Sequence, residues 1–310
     1  MNMNRRTFAR TLGMGLAAAA IPLHGQKKLN VRVGHTGITW PWGNAPGAPG
    51  PMTLADPAAI EQIVKDIASL GFYGLELFGW QIDGMEAAGG LGRLLEKHNL
   101  ALVSSYGGPN LTDPAQRKPS LERTVATAKL VKKYGGNVIV FGPNGVQRST
   151  FDFAAAKSGI VAALNEGAKA VADLGLTPVL HQHTGTCIET RDETYAVMEA
   201  VDTRYLKFGP DIGQLQKGGA DPVQVVKDFL PIVQHMHLKD FSGGDAYLGY
   251  CPLGQGKVNI PAILAMVDGK KLSGMVMVEL DSSPGMPLTA IETARIAREY
   301  LLKQGITLKS

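Results

Sequence analysis

The sequence predicts a single (β/α)8 TIM barrel, and three observations support this prediction. Eight short apolar runs alternate with longer segments whose apolar residues recur at three- and four-residue spacing. Strict alternation of this kind favours parallel strands joined by right-handed helical crossovers. No GxGxxG motif follows the first run, so a dinucleotide-binding open sheet has no support.

The runs and the segments between them give the expected order of elements. The predicted strands are residues 31–34, 74–78, 101–106, 137–141, 177–181, 206–211, 236–239 and 275–280. The predicted helices are residues 58–70, 121–134, 153–174, 192–201, 222–229, 260–266 and 290–304. Several helices are predicted to stop at a glycine, such as Gly71, Gly135 and Gly175. A helix often ends in a left-handed backbone conformation, which has a low energy cost only for glycine.

The amino terminus is predicted to lie outside the barrel. Arg5 and Arg6 form a twin-arginine pattern, and an apolar run follows over residues 12–23. This run is too short to span a bilayer, which takes about 20 residues, and it matches the apolar core of a secretory signal. We therefore predict a twin-arginine signal peptide over residues 1–27 and a barrel over 28–308. The expected location is periplasmic or secreted, with no stable membrane insertion after signal cleavage.

Charge and cysteine content exclude some classes of partner and site. The 310-residue chain has a formal charge of +4, and its lysine doublets are scattered and lack an aromatic stripe, so nucleic acid is not an expected partner. The two cysteines, Cys187 and Cys251, are compatible with one disulfide or none. They form no CxxC pair, which excludes a structural zinc knuckle. The sequence leaves both a monomer and a homo-oligomer open.

Four consecutive predicted strands end in an imidazole or a carboxylate. They are His181, Asp211, His237 and Glu279. In a (β/α)8 barrel the carboxyl ends of the strands carry the site, and buried charges are costly unless they are paired or bound to a metal. Two imidazoles and two carboxylates suit one divalent ion, Mn, Co, Mg, Fe or Zn. We therefore predict a metal site formed by these four side chains.

Other strand ends and the loops after them supply candidates for binding a small-molecule substrate. The loop of residues 241–258 is expected to fold over the ligand. The predicted substrate-binding residues are His35, Trp40, Glu76, Tyr106, Gln214, Asp240 and Gln255.

Several stretches of the sequence resemble the xylose isomerase-like TIM barrels, which include sugar isomerases, epimerases and inosose dehydratases. The matching stretches are residues 71–77, 177–186, 209–213, 235–240, 253–258 and 278–279. The resemblance implies a divalent metal held by Glu, Asp, His and Glu at strand ends, and the last three correspond to Asp211, His237 and Glu279. His181 stands where that family has its first Glu, and the segment His-X-His-X-Gly-Thr is more similar to the inosose dehydratase branch.

The resemblance implies a metal-dependent enzyme that removes a proton next to the carbonyl of a keto-sugar or related polyol. The main expectation is a sugar isomerase or epimerase acting on a small sugar or sugar-like substrate, with Trp40 and Tyr106 stacking on the sugar faces. The alternative is a dehydratase or hydratase, a lyase of a keto-sugar, keto-glycoside or inosose. A second alternative is an exported carbohydrate-binding barrel without catalysis. We expect Glu279 to be the acid/base and His183 or Lys239 to be the second proton carrier.

Overall fold

The computed structural model describes residues 27–40, 56–283 and 285–310. The predicted barrel is confirmed: eight parallel strands form one sheet. Its strands are β1 Val33–Thr36, β2 Gly74–Phe78, β3 Ala101–Gly107, β4 Val138–Phe141, β5 Thr177–Leu180, β6 Lys207–Phe208, β7 Met236–Leu238 and β10 Val276–Val278. Two further strands, β8 Asp240–Phe241 and β9 Tyr250–Cys251, form an antiparallel hairpin in the loop after β7. The predicted signal peptide lies outside the described residues, except for Lys27.

Helices connect the strands as the alternating pattern predicts. They are α1 Pro57–Ser69, α2 Gly79–Ala87, α3 Leu91–Lys97, α4 Pro114–Lys133, α5 Phe153–Ala172, α6 Arg191–Met198, α7 Ile212–Lys217, α8 Pro222–Phe229, α9 Ile260–Val267 and α10 Ala290–Lys303. Helix α4 begins at Pro114, seven residues before the predicted start at residue 121. It does so because the Asp113 carboxylate caps the helix by accepting from Ala115 N, and proline suits the first helical position. In the described part of the chain, no helix is both long and apolar enough to cross a membrane.

The barrel closes between β6 and β7, which are joined by isolated bridges. The strand order is β6-β5-β4-β3-β2-β1-β10-β7. Bridges pair Phe208 with Val233 and Asp211 with His237, and His237 N donates to Pro210 O at 2.9 Å. Two predicted metal ligands therefore face each other across this seam.

Apolar side chains fill the barrel interior below the carboxyl ends of the strands. One cluster contains Val138, Val140 and Val179, and another contains Val103, Met275 and Met277. The larger core lies outside the strands, between the sheet and the helices. Cys187 and Cys251, whose pairing the sequence left open, are separate buried thiols.

Candidate active site and metal centre

Three of the four predicted metal ligands converge at the carboxyl end of the barrel. His181, Asp211 and His237 are fully buried, and one ligand atom of each lies within 4.8 Å of the other two. His181 Nδ1 and His237 Nδ1 are 2.8 Å apart. Because both rings present a nitrogen to the same point, one cation there would interact with both. Glu279 does not join this group of three.

Glu76 orients His237 from below the site. His237 Nε2 donates to Glu76 Oε1 at 2.7 Å, which turns Nδ1 towards His181. The second oxygen, Oε2, accepts from His235 Nε2 at 3.0 Å and from Ser104 Oγ at 2.5 Å. An imidazole that gives its other N–H to a carboxylate is the usual arrangement of a histidine metal ligand. Glu76 is therefore not a substrate-binding residue as predicted, because both its oxygens are taken inside the barrel.

The electrostatics of the two imidazoles differ. Burial opposes a charge on His237, but the carboxylates of Glu76 and Glu279 outweigh it and raise its pKa to about 9. Burial, and then the charge on His237, hold the pKa of His181 well below its ordinary value. His181 is thus a neutral imidazole, which is the form that binds metals, and its Nδ1 is hydrogen-bonded to His237 Nδ1.

Asp211 caps α7 with one carboxylate oxygen and places the other beside Lys239. Its Oδ1 caps α7 by accepting from Gly213 N at 2.8 Å and Gln214 N at 3.0 Å. Its Oδ2 is buried and accepts no hydrogen bond, although it lies 3.1 Å from Lys239 Nζ. One carboxylate oxygen of Asp211 and one nitrogen each of His181 and His237 lie within 4.8 Å of one another. This donor set fits a divalent transition metal or zinc.

Lys239 is fully buried and is held by three carboxylates. Its Nζ lies 2.6 Å from Glu279 Oε1, 3.0 Å from Asp281 Oδ1 and 3.1 Å from Asp211 Oδ2. The ring of Tyr250 covers the ammonium at 4.7 Å. Burial alone would lower the pKa of Lys239, but these carboxylates raise it well above its usual range. The predicted role of proton carrier is therefore not supported, because the amine stays protonated.

Glu279 lies between Lys239 and the imidazoles. Its Oε1 is bound to Lys239, and its Oε2 is 3.8 Å from His237 Nδ1. Burial raises the pKa of Glu279, although Lys239 and His237 oppose this effect. The side chain also lines the open cleft above the site. Glu279 therefore combines a place in the cleft lining with a raised pKa, and its role as the acid/base stays a prediction.

Tyr106 contributes a hydroxyl to the site. This hydroxyl donates to Glu279 Oε2 at 3.3 Å, and it lies 3.3 Å from His237 Nδ1 and 3.4 Å from His181 Nε2. Its ring already stacks on Phe78 at 5.0 Å and on His237 at 5.5 Å. The predicted stacking on a sugar face is therefore replaced by a polar role of the hydroxyl. Burial, followed by the charge of Glu279, raises the pKa of Tyr106 well above 10, which keeps the hydroxyl protonated.

A cleft of about 230 Å³ opens above these groups. It is lined by Ile38, Phe78, Tyr106, Gly142, Pro143, His181, His183, Thr186, Glu279 and Asp281. Asp281 was not predicted as a site residue. It lies two residues after Glu279, and the alternation of side chains along a strand was the signal that could have identified it.

His183 lines the cleft, but both its ring nitrogens are already hydrogen-bonded. Nδ1 donates to Thr184 O at 2.7 Å, and Nε2 accepts from Gln214 Nε2 at 2.7 Å. Gln214 is buried, and its oxygen accepts from both Thr184 N and Thr184 Oγ1. Gln214 thus positions His183 and does not itself bind substrate as predicted. Burial, and then Lys239, lower the pKa of His183.

His35 and Trp40 lie away from the cleft. His35 is buried, with its ring edge-on to Trp40 at 5.2 Å and to Phe72 at 5.1 Å, and its Nδ1 donates to Thr36 O. Trp40 donates from Nε1 to Asp66 Oδ2 at 2.8 Å. The predicted substrate-binding role of both residues is therefore corrected: His35 continues the alternation of Val33 and faces the helices, not the barrel interior.

Asp240 and Gln255 belong to the loop after β7 and do not line the cleft. Asp240 is buried and accepts from four backbone amides, those of Phe241, Gly254, Gly256 and Val258. Gln255 is exposed to solvent. Asp240 thus folds the loop, in place of the substrate contact predicted for it. Asp240 does not belong to the candidate metal-binding group of His181, Asp211 and His237.

Comparison with known proteins places this geometry in a family. Inosose dehydratase of Clostridium botulinum (strain Alaska E43 / Type E3) is 24% identical over 297 residues, covering 87% of this chain and 96% of that protein. The probable 3-DHS dehydratase of Bacillus anthracis has a similar fold, with a TM-score of 0.69 and 19% identity, covering 88% of this chain and 99% of that one. The 3-keto-D-glucoside 4-epimerase of E. coli matches with a TM-score of 0.62 and 14% identity, covering 88% and 98%.

Some solved structures of this fold contain a metal. One with a TM-score of 0.69 and 14% identity, covering 89% of this chain and 98% of that one, has bound zinc. Another, from Mycobacterium smegmatis, has a TM-score of 0.68 and 17% identity, covers 89% and 96%, and was solved in complex with magnesium. A family model described as xylose isomerase-like TIM barrel matches residues 64–304. The resemblance seen in the sequence is thus confirmed, and the chain belongs to the xylose isomerase-like TIM barrel family.

Proposed function

We propose that this chain is a divalent-metal-dependent lyase that removes or adds water next to the carbonyl of a keto-sugar, keto-glycoside or inosose. The observation that carries the proposal is the one-sided placement of carboxylates. Among the described residues that line the cleft, the carboxylates are Glu279 and Asp281, both at the end of β10. The β5 side carries His181 and His183 instead. Epimerisation by two opposed carboxylates would need a second one on that side.

The proposed chemistry begins with removal of the α-proton. A divalent ion held at His181, Asp211 and His237 would polarise the carbonyl oxygen of the substrate and acidify the neighbouring C–H. Glu279 accepts the α-proton at Oε2, the oxygen not bound to Lys239. The Tyr106 hydroxyl donates to Glu279 Oε2 at 3.3 Å before this transfer. Once Oε2 carries the proton, the hydroxyl donates instead to the substrate oxygen on which negative charge develops.

Dehydration is then completed by the same carboxylic acid. Glu279 returns its proton to the β-hydroxyl as the C–O bond breaks, the electron pair of the α C–H bond forms the C=C bond, and water leaves. One group on one face is sufficient for this syn elimination. Hydration follows the same steps in reverse. The inosose dehydratases among the relatives, which align over most of this chain, support the proposed reaction class.

A sugar isomerase or epimerase is the second candidate, since it shares the metal and the first proton transfer. It is favoured by the likeness to the 3-keto-D-glucoside 4-epimerase. One carboxylate can also move a proton between two adjacent carbons of the same face, which would isomerise the substrate. Because Arg5-Arg6 and the apolar run 12–23 match a twin-arginine signal, we also propose that the enzyme acts outside the cytoplasm.

An NMR experiment in D₂O separates these reactions. Metal-loaded protein is incubated with keto-sugars, keto-glycosides and inososes. The proposal expects loss or gain of water in at least one of these substrates, and it expects Glu279→Gln to abolish the change while the exposed Glu299→Gln control retains it. Deuterium uptake at an α-carbon without a change in water content would select the isomerase or epimerase. No change in any substrate would contradict both.

A further inference from the structure

We propose that the amino-terminal end of the barrel carries a second binding site, for a small organic phosphate ester. This site lies at the opposite end from the candidate active site, because its residues come before strands β1 and β10 and not after them. It goes beyond the proposed function and does not depend on it, since it needs neither the metal ion nor the proposed reaction.

A pocket of about 400 Å³ opens between the starts of these two strands. The loop of residues 268–274, which follows α9, forms one of its walls. The lining residues are Asn30, Val31, Arg32, Val267, Gly269, Lys270, Lys271, Leu272, Gly274 and Met275. Binding sites for small molecules have volumes of about 300–1,000 Å³, so this pocket is large enough for one small ligand.

This loop is held in place at both ends. Near its start, Asn30 N donates to Asp268 Oδ1 at 2.7 Å, and Gly269 N donates to Asn30 O at 3.1 Å. Near its end, Gln234 Oε1 accepts from Ser273 N and Ser273 Oγ, both at 3.0 Å. These contacts fix the wall of the pocket independently of any ligand, which lowers the entropy cost of binding.

The charged residues that line the pocket are all cations. Arg32, Lys270 and Lys271 line it, and no carboxylate does so among the described residues. In the described part of the chain, none of these three cations forms an ion pair. The carboxylate of the adjoining Asp268 is already taken, because its Oδ2 pairs with Lys27 at 2.8 Å and its Oδ1 accepts from a backbone amide.

Lys309 adds a fourth positive charge beside Arg32. Both side chains lie over the ring of Tyr73, with Arg32 Cζ at 5.0 Å and Lys309 Nζ at 5.7 Å from its centre. Partial burial, and then the charge of Arg32, lower the pKa of Lys309. Like charges brought together in this way repel one another, and a bound anion would relieve the repulsion.

The chain as a whole has no comparable excess of positive charge. Its formal charge of +4 includes Arg5, Arg6 and Arg10, and no acidic residue precedes residue 27. Without these three arginines, the chain from residue 27 onward carries +1. Four cations in and beside one concave pocket therefore produce a local positive field on a nearly neutral protein, and such a field attracts anions.

The pocket also has an apolar lining, which indicates the kind of anion. Val31, Val267 and Met275 are buried, and Leu272 packs against the main core. Covering such a surface with a carbon skeleton is favourable, whereas a bare inorganic ion does not cover it. Guanidinium and ammonium groups bind phosphate through charge-assisted hydrogen bonds. A phosphate ester with an apolar organic part therefore matches both parts of the lining.

Binding of phenyl phosphate, a phosphate ester with an apolar ring, tests this site by calorimetry. The pocket variant replaces the three lining cations: Arg32→Gln/Lys270→Gln/Lys271→Gln. The control removes the same charge from exposed residues of α4: Lys118→Gln/Arg123→Gln/Lys129→Gln. We expect wild type and control to bind one phenyl phosphate per chain. The pocket variant should bind at least about 10-fold more weakly, which is the size of one lost charge-assisted hydrogen bond.

Two further measurements locate the ligand and identify its chemistry. Phenyl phosphate should shift the methyl NMR signal of Met275, which lines the pocket, and leave that of Met198 in α6 unchanged. This readout uses wild type and holds even if the pocket variant does not fold. Inorganic phosphate, which lacks the ring, should bind to wild type more weakly than phenyl phosphate does.

Several outcomes would overturn the proposed site. Wild type that binds no phenyl phosphate is one, and a pocket variant that binds it as tightly as wild type is another, because the ligand would then lie elsewhere. Equal affinity for inorganic phosphate would contradict the role of the apolar lining. Binding to phosphatidylglycerol vesicles that the pocket variant loses, without binding of phenyl phosphate, would identify a membrane surface as the partner instead.

Discussion

Glu76 determines which nitrogen of His237 faces the cluster. It accepts from His237 Nε2 at 2.7 Å, while its other oxygen accepts from His235 and Ser104. Glu76→Gln replaces one acceptor oxygen by an NH₂ group, which cannot accept from an imidazole N–H. Since such carboxylate partners contribute about 10–100-fold to metal affinity, we expect a loss of that size in a Zn²⁺ titration. Ser104→Ala, which leaves both imidazole contacts in place, is the control, and equal affinities in all three proteins would refute the orienting role.

His35 makes the stability of the fold depend on pH. Burial lowers its pKa from 6.5 to about 4, so between these values the unfolded chain binds a proton that the folded chain does not. The free energy of unfolding therefore decreases as the pH falls through that window. Burial of His35 should account for a decrease of about 2 kcal/mol from pH 7 to pH 5. Urea unfolding at pH 7 and at pH 5 measures this decrease. We expect the decrease to be smaller in His35→Gln than in wild type by the same amount. His98→Gln, which changes a partly exposed histidine, is the control. The prediction is contradicted if His35→Gln loses as much stability between the two pH values as wild type does.

The side chains of the site show which residues could be predicted from the sequence. The convergence of His181, Asp211 and His237 could be predicted, because each ends a strand of one barrel and the topology brings these ends together. The role of Lys239 could not be predicted. It depends on where Asp281 and Tyr250 lie in space, and nothing in the local sequence encodes that. His35 was assigned to the wrong face because a short run of alternating residues does not reveal which face is the interior.

At the scale of elements, Asp240 organises the loop that follows β7. Its two oxygens accept four backbone N–H bonds of 2.9–3.2 Å, so the residue closes residues 241–258 into a compact unit. Gly256 is required there, because a Cβ would lie 2.2 Å from Asp240 Oδ1. The sequence predicted that this loop folds over the ligand. It did not show that the backbone amides of Gly254 and Gly256 bind the Asp240 carboxylate.

Removing this carboxylate should loosen the loop and leave the barrel intact. Hydrogen bonds to a charged group contribute about 1.5–3 kcal/mol each, and some of the freed amides will find water, so we expect Asp240→Ala to destabilise by about 3 kcal/mol. Hydrogen–deuterium exchange should rise over residues 241–258. Gly256→Ala should act in the same direction, and exposed Gln255→Ala should not. Exchange that is unchanged in Asp240→Ala would show that other contacts hold the loop.

A helix could be predicted where its apolar residues recur clearly at three- and four-residue spacing. The seven predicted helices are present, but α2, α3 and α7 were missed. Helix α7 has six residues, too few to show a period of 3.6, and it is initiated by Asp211 acting as a cap. The same residue therefore starts a helix and belongs to the candidate metal-binding group of His181, Asp211 and His237. The position of Asp211 in the site therefore depends on the formation of α7.

For the whole molecule, the number and order of strands followed from the alternating pattern, whereas the way the barrel closes did not. Strand β6 has two residues, and its junction with β7 consists of bridges at Phe208–Val233 and Asp211–His237. Sequence periodicity carries no information on pairing between particular strands. In the described sheet, isolated bridges close this seam, whereas the other neighbouring strands pair as ladders. The predicted ligands lie on both sides of the seam.

A bound ion should therefore act as a cross-link of the barrel. At a free concentration 100 times its Kd, it stabilises the folded chain by about 2.7 kcal/mol, which corresponds to a rise in Tm of about 5 °C for a chain of this size. Because His181 and Asp211 lie on one side of the seam and His237 on the other, exchange should slow most at residues 206–211 and 233–238. EDTA should reverse both effects in wild type, and Asp211→Asn should show neither. Uniform slowing over the whole barrel, with no preference for these segments, would mean that the ion does not bridge β6 and β7.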